Sequence, residues 1–376
     1  MPSLRCSIAV TAAVLILFVA PVSATPSLVV DMDTRTVLHA EDAGHPWYPA
    51  STAKLMTALV TFQAVEQGDI TLKTPVVISK QAARFGASNS VLEPGTTMTL
   101  EDALYALLVA SANDVAVALA ETVAGSEAAF VERMNGEAQR LGLTATRFAN
   151  VNGLHHPSQQ TTARDLALLS LDLYQRYPAY HAMFRTSEVV MGGKTAQSFN
   201  TLLTRFPGTV GLKTGFVCSS GRNIVAIAER DGRQMLAVVL GATTGREREE
   251  RAAKLMTEAF AGELQAAGPP LETIANRPEI APEDMRLRLC SNQTPPYEAR
   301  QEARYPWGLP GQASYLTEPS APVRHVITTW QTDIRPAPPR PAPKPALADR
   351  GPVSTPDAGN GQTAAPKAKP APPASL

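Results

Sequence analysis

Cysteine is nearly absent, with three residues in a chain of 376. No His-Glu-x-x-His spacing occurs, so the zinc-hydrolase helix is not written into this chain. The adjacent His155 and His156 precede Pro157 and fall in a predicted loop, where they read as a hydrogen-bonded pair rather than as metal ligands. An excess of charge of one sign is also lacking. Lys and Arg number 34 and Asp and Glu number 34, which leaves no overall basic character for a nucleic-acid partner. Long apolar runs are confined to the start, from Ile8 to Ala20, and this run falls short of the roughly 20 residues needed to span a membrane. It follows Arg5 and is succeeded by Pro21 and the small residues Val22, Ser23 and Ala24. Residues 1–24 therefore read as a secretory signal peptide cleaved after Ala24, with no cysteine there to take a lipid.

Export would remove Cys6 and leave Cys218 and Cys290 where disulfides persist. They form either one bridge or two free thiols, since sequence does not supply the geometry that a bridge requires.

A hydrophobic share of 44% suits a globular core. Leu28 to Val30 and Thr36 to His39 read as arms of a hairpin. PASTAKLMTALVTFQAVEQG reads as a helix ending near Gly68. TLEDALYALLVASANDVAVALAETVAG gives two more, opened by Thr99 and Asp102 at capping-box spacing and broken around Ser111 to Asn113. Two amphipathic helical stretches follow. After Gly208 come three strands, the last two joined by Asp231-Gly232, and then a helix. The expectation is an α+β domain over 25–265. Residues 266–330 show no sustained period and read as a small appendage or linker. Residues 331–376 are rich in Pro and Ala and read as a disordered spacer.

Three motifs carry chemistry. In Ser51-Thr52-Ala53-Lys54 a lysine sits inside an otherwise apolar helix, where burial costs energy unless the ammonium finds partners or loses its proton. Ser51 stands three residues back, on the same helical face, within reach of that amine. Ser111-Ala112-Asn113 falls at a helix break, and Ser111 alone could be a cap. Lys213-Thr214-Gly215 ends a short strand, where glycine admits a close peptide backbone and Lys213 with Thr214 can bind a carboxylate. As an edge strand, it could equally carry a lysine that discourages aggregation.

In this order, together with VLEPGTTMTLEDALYALLVASANDVAVALAE, NVNGLHHPSQQTTARDLALLS, TVGLKTGF and GREREERAAKLM, the chain resembles the low-molecular-mass penicillin-binding proteins that are serine-type D-alanyl-D-alanine carboxypeptidases, of peptidase S11 type, from about Ser27 to Gly262. The resemblance implies a serine β-lactamase/transpeptidase-like fold, with an antiparallel sheet flanked by helices and a helical subdomain. It makes Ser51 the nucleophile, Lys54 its base and Ser111 the proton relay, with Asn113 on the substrate amide. Lys213, Thr214 and Arg246 would bind the terminal carboxylate. Gly215 would line the groove, and the backbone N–H groups of Ser51 and Phe216 would form the oxyanion hole. It implies no cofactor, peptidoglycan stem peptides as substrate, and β-lactams as covalent inhibitors. The β-rich second domain and amphipathic terminal helix frequent in that family are not legible here, so no stable membrane anchor is expected. Rival readings are a D,D-endopeptidase with the same residues, a β-lactamase using Glu93 or Asp165 for deacylation, and a non-catalytic wall-binding protein. A retained nucleophile and base argue against the last.

Overall fold

The computed structural model describes residues 25–86, 92–264 and 268–333, so the expected signal peptide and the spacer beyond residue 333 lie outside the described residues. Strand β1 (Ser27–Asp31) pairs antiparallel with β2 (Val37–Glu41), the expected hairpin, with a register shift between Val29 and Val30. A 3₁₀ turn, Ala50–Ala53, runs directly into helix α1 (Lys54–Glu66). The short strands β3 (Pro75–Val77) and β4 (Thr96–Thr99) lead to α2 (Leu100–Leu108), whose first turn is capped by the Thr99 hydroxyl accepting from the Asp102 N–H. Helices α3 (Asn113–Ala124), α4 (Glu127–Arg140), α5 (Ala163–Arg176) and α6 (His181–Arg185) follow, and the middle of the chain is helical as its periodicity predicts.

Strands β5 (Glu188–Met191) and β6 (Lys194–Gln197) and the short α7 (Leu202–Arg205) precede the three long strands β7 (Thr209–Val217), β8 (Gly221–Arg230) and β9 (Arg233–Ala242). Asp231 and Gly232 both have positive φ, 52° and 73°, as a two-residue hairpin turn with the sheet's own twist requires. The central sheet has the order β2-β1-β9-β8-β7, antiparallel throughout. Its middle strands are buried on both faces, and alternate residues explain how. Val225, Ile227, Leu236 and Val238 face the core shared with α1 to α5, whereas Ile224, Ala226, Ala237 and Val239 face α8 (Gly245–Ala261) through Ala252, Ala253 and Met256. The sheet thus lies between two helical layers, and β7 is one of its edge strands, buried from Val210 to Gly215.

Residues 268–333 return across this body. They contain α9 (Arg286–Leu289), α10 (Thr294–Arg304), β10 (Arg324–Ile327) and β11 (Trp330–Gln331). Leu271, Met285, Tyr297 and Ile327 are buried in the same core as α1. Strand β10 adds in parallel to β5, and β11 adds antiparallel to β4. His325 stacks on Tyr105 with ring centroids 3.6 Å apart and bonds to Asp102 at 2.7 Å. Cys218 and Cys290 are joined in a disulfide. Single apolar anchors on very short elements carry this packing, which is why no period is visible in the segment. Among the described residues no helix is long and apolar enough to cross a membrane.

Candidate active site

Ser51 lies in the 3₁₀ turn that feeds α1, and Lys54 is the first residue of the helix proper. The lysine is fully buried. Its Nζ donates to Ser51 Oγ at 3.0 Å, to Asn113 Oδ1 at 2.7 Å and to the carbonyl of Asn152 at 2.5 Å. All three acceptors are neutral oxygens. Burial pushes the Lys54 ammonium well below the ordinary lysine range, the charge of Lys213 pushes in the same direction, and Asp114 opposes both. When the ammonium loses a proton, two N–H groups can still serve Asn113 and Asn152 while the freed lone pair faces Ser51 Oγ, so this arrangement can activate Ser51.

Asn113 is the first residue of α3, which brings its side chain onto Lys54. Ser111 sits just before, with φ of 58°, in the left-handed region that is unfavourable for a residue with a side chain. The N-cap position of α3 belongs to Ala112, so Ser111 does not act as the cap of that helix. Ser111 thus has a strained backbone at the helix break, two residues before the asparagine that bonds Lys54.

The third motif lies on β7. Lys213 is 2% exposed and donates to the carbonyl of Thr214 at 3.0 Å. Burial, then the nearby Arg248, lower its pKa to about 7. Gly215 approaches Ser51 closely: a Cβ added there would stand 2.7 Å from the backbone N of Ser51. From the other side Gly153, with φ of 84°, would place a Cβ 1.9 Å from the carbonyl oxygen of Ala50. The backbone of Ala50 and Ser51 is therefore held between two side-chain-free positions, with Ala50 itself at φ 48°. Asn223 completes the support by donating through Nδ2 to the carbonyls of Tyr48 and Pro49 at 2.9 and 3.0 Å. Phe216 is 44% exposed beside the groove, with the Arg222 guanidinium 4.6 Å from its ring centre.

The structure thus gathers Ser51, Lys54 and Asn113 by direct hydrogen bonds, and brings Lys213 and Gly215 against them. Arg246 is engaged elsewhere: it pairs with Glu302 of α10 at 2.6 Å, in a small crevice lined by Thr243, Glu298 and Tyr305. Arg248, two residues on, is buried and acts on Lys213. A two-residue step turns a helix by about 200°, so only one of these arginines can face the sheet, and the sheet-facing side was readable from Ala252 and Met256. Asn152, Gly153 and Asn223 are further residues that motif reading missed. Asn152 acts through its backbone carbonyl, for which side-chain type gives no signal. Asp165 is buried at the start of α5, accepting from the Ala145 N–H at 3.0 Å and Thr146 Oγ1 at 2.8 Å and pairing with Arg164, whereas Glu93 is exposed. The ring nitrogens of His155 and His156 bond to the hydroxyls of Ser219 and Ser158.

A serine and a buried lysine one helical turn apart, on a helix packed under an antiparallel sheet with a Lys-Thr-Gly edge strand, sit in the fold class of the penicillin-binding proteins. The fold is that of penicillin binding protein 5 from Haemophilus influenzae, with a TM-score of 0.61 and 30% identity over 64% of this chain and 71% of that one. A family profile described as D-alanyl-D-alanine carboxypeptidase matches residues 14–244, and the chain belongs to that family, peptidase S11. Curated relatives include the D-alanyl-D-alanine carboxypeptidases DacF of Bacillus subtilis, 34% identical over 63% of this chain and 62% of its own length, and DacC of Escherichia coli, 36% identical over 64% and 62%. The chain thus spans less than two thirds of the length of these two relatives.

Proposed function

We propose that the chain is a serine D,D-carboxypeptidase that removes the terminal D-alanine from peptidoglycan stem peptides. The observation that carries this reading is the Lys54 amine, buried, with its pKa lowered, 3.0 Å from Ser51 Oγ. Ser51 Oγ attacks the carbonyl of the penultimate D-alanine while Lys54 takes its proton. The backbone N–H groups of Ser51 and Phe216 stabilise the oxyanion, a charge present only in the transition state and the tetrahedral intermediate. Ser111 relays a proton to the leaving amine, D-alanine departs, and water then cleaves the acyl-serine. Asn113 orients the substrate amide. Lys213, Thr214 and the buried Arg248 bind the terminal carboxylate, and the substrate strand runs antiparallel along the open edge of β7.

β-Lactams enter the same path and acylate Ser51, but their leaving group stays tethered and blocks the groove. The engagement of Asp165 with Arg164 and backbone, and the exposure of Glu93, support slow deacylation rather than a β-lactamase. Cross-linked peptides would meet the same residues, and groove shape decides between them and free stems. Residues 1–24 direct export, and the Pro-rich end is a spacer in the cell wall or periplasm.

The test is intact mass of the mature protein with benzylpenicillin over time, followed by D-alanine release from a pentapeptide. One stable adduct, absent in Ser51→Ala, with D-alanine released is the expected result. Rapid drug loss without adduct would replace the reading by a β-lactamase, and no adduct with no drug loss by a wall-binding protein.

A further inference from the structure

The loop between α4 and α5 carries Asn152, whose carbonyl meets Lys54 Nζ. Part of this loop is tied to itself and to α1. Asn150 Oδ1 accepts from the Gly153 N–H at 2.8 Å, Asn152 Oδ1 accepts from the Leu154 N–H at 3.0 Å, and the Val151 carbonyl accepts from Thr57 Oγ1 at 2.7 Å. At His155 it reaches a second region. Ser219 Oγ and His155 Nδ1 share a hydrogen bond of 2.8 Å, and the ring meets Tyr48 edge-on with centroids 4.9 Å apart.

Ser219 is itself firmly placed. It is 1% exposed, its carbonyl accepts from the Met285 N–H at 3.0 Å, and its neighbour Cys218 is bonded to Cys290. The turn that holds it follows β7, the strand of Lys213 and Gly215, without a break. One side chain therefore connects the loop touching the base to the turn that ends the substrate strand.

We propose that His155 is a positioning residue, which through Ser219 holds the Asn152 carbonyl against Lys54 while the disulfide-anchored turn keeps β7 beside Ser51. This rests on the reading of Ser51 and Lys54 as nucleophile and base. A carbonyl that accepts from Lys54 favours its ammonium form, so the placement of that oxygen tunes the base. The ionisable groups facing His155 are Tyr48, His156, Asp284 and Arg286, and burial followed by Arg286 holds its pKa below the usual histidine range. Those facing Lys54 are Lys213 and Asp114.

The test measures acylation of the mature full-length protein by benzylpenicillin from pH 5 to 9, with thermal melts, for His155→Ala, Ser219→Ala, the double variant and His155→Asn. Each single alanine variant should lower acylation roughly tenfold. Each should also move the acid limb of the pH profile to lower pH, because Lys54 loses an acceptor that stabilises its charged form. The double variant should fall no further than the singles, since both remove one interaction, and His155→Asn should recover most of the rate. A parent protein that acylates while the variants match it in rate and limb overturns the proposal alone. So does a lowered melting temperature with an unmoved limb, or losses that multiply in the double variant. A parent that takes no adduct overturns the reading of the site and the proposal with it.

Discussion

Two groups of buried charge, one along α8 and one around Lys54 and Lys213, are handled in opposite ways. Along α8, Arg248 meets Glu249 at 2.6 Å and Arg251 meets Glu247 at 3.3 Å, with all four side chains at most 8% exposed. In the other group, Lys54 meets three neutral oxygens and Lys213 a backbone carbonyl. Ion pairing offsets the desolvation of a charge, whereas neutral acceptors offset only part of it. The first group ties α8 to segments that flank the sheet, at Thr25, Phe199, Thr201 and Thr243. In the second, burial strongly disfavours the ammonium form of Lys54 and lowers the Lys213 pKa to about 7.

The largest test of this contrast is Ser51→Ala, which should reduce acylation and D-alanine release by about 10⁴-fold or more, read by intact mass and by amino-acid release. Lys54→Ala should follow with a loss of about 10³-fold at neutral pH. In the parent protein, kcat/KM for D-alanine release should rise with pH as Lys54 loses its proton. It should fall as pH passes about 7, where free Lys213 loses the charge that binds the carboxylate. An acid limb that survives Lys54→Ala would break the assignment of the base.

The contrast sharpens at α8. Arg248→Ala should lower kcat/KM by about 10²-fold, mainly through KM. It should also destabilise the fold by about 3–5 kcal/mol, because Glu249 is left buried without its partner. Arg248→Ala combined with Glu249→Gln should restore the melting temperature and leave KM high. Arg246→Ala should change activity less than about threefold, since its pair with Glu302 is exposed and such pairs contribute about 0–1 kcal/mol. A large effect at Arg246 with none at Arg248 would return the carboxylate to Arg246.

Much of this was legible in the chain. The hairpin at Asp231-Gly232, the cap at Thr99 and the break at Ser111 are local signals, each settled by a few neighbouring residues. Ser51 and Lys54 declared themselves because a lysine in an apolar helix conflicts with its surroundings. What escaped depends on long-range geometry. Leu271, Met285 and Ile327 reach the core from elements too short to show a period, and β10 and β11 pair with strands far away in sequence. Arg246 and Arg248 lie on different faces of α8, and a motif position alone does not distinguish them. Asn152 contributes a carbonyl that every residue possesses.

The two glycines that flank Ser51 have a consequence for drug resistance. A side chain at either position would drive a carbon into the backbone of Ala50 or Ser51, so substitution there should displace Ser51 and, on the proposed function, impair drug and substrate alike. Leu154 and Phe216, 38% and 44% exposed and next in sequence to those glycines, carry no such constraint. Variants that discriminate against bulky β-lactams while sparing a thin D-alanyl terminus should therefore arise at the rim, and the floor of the groove should stay unchanged under drug pressure.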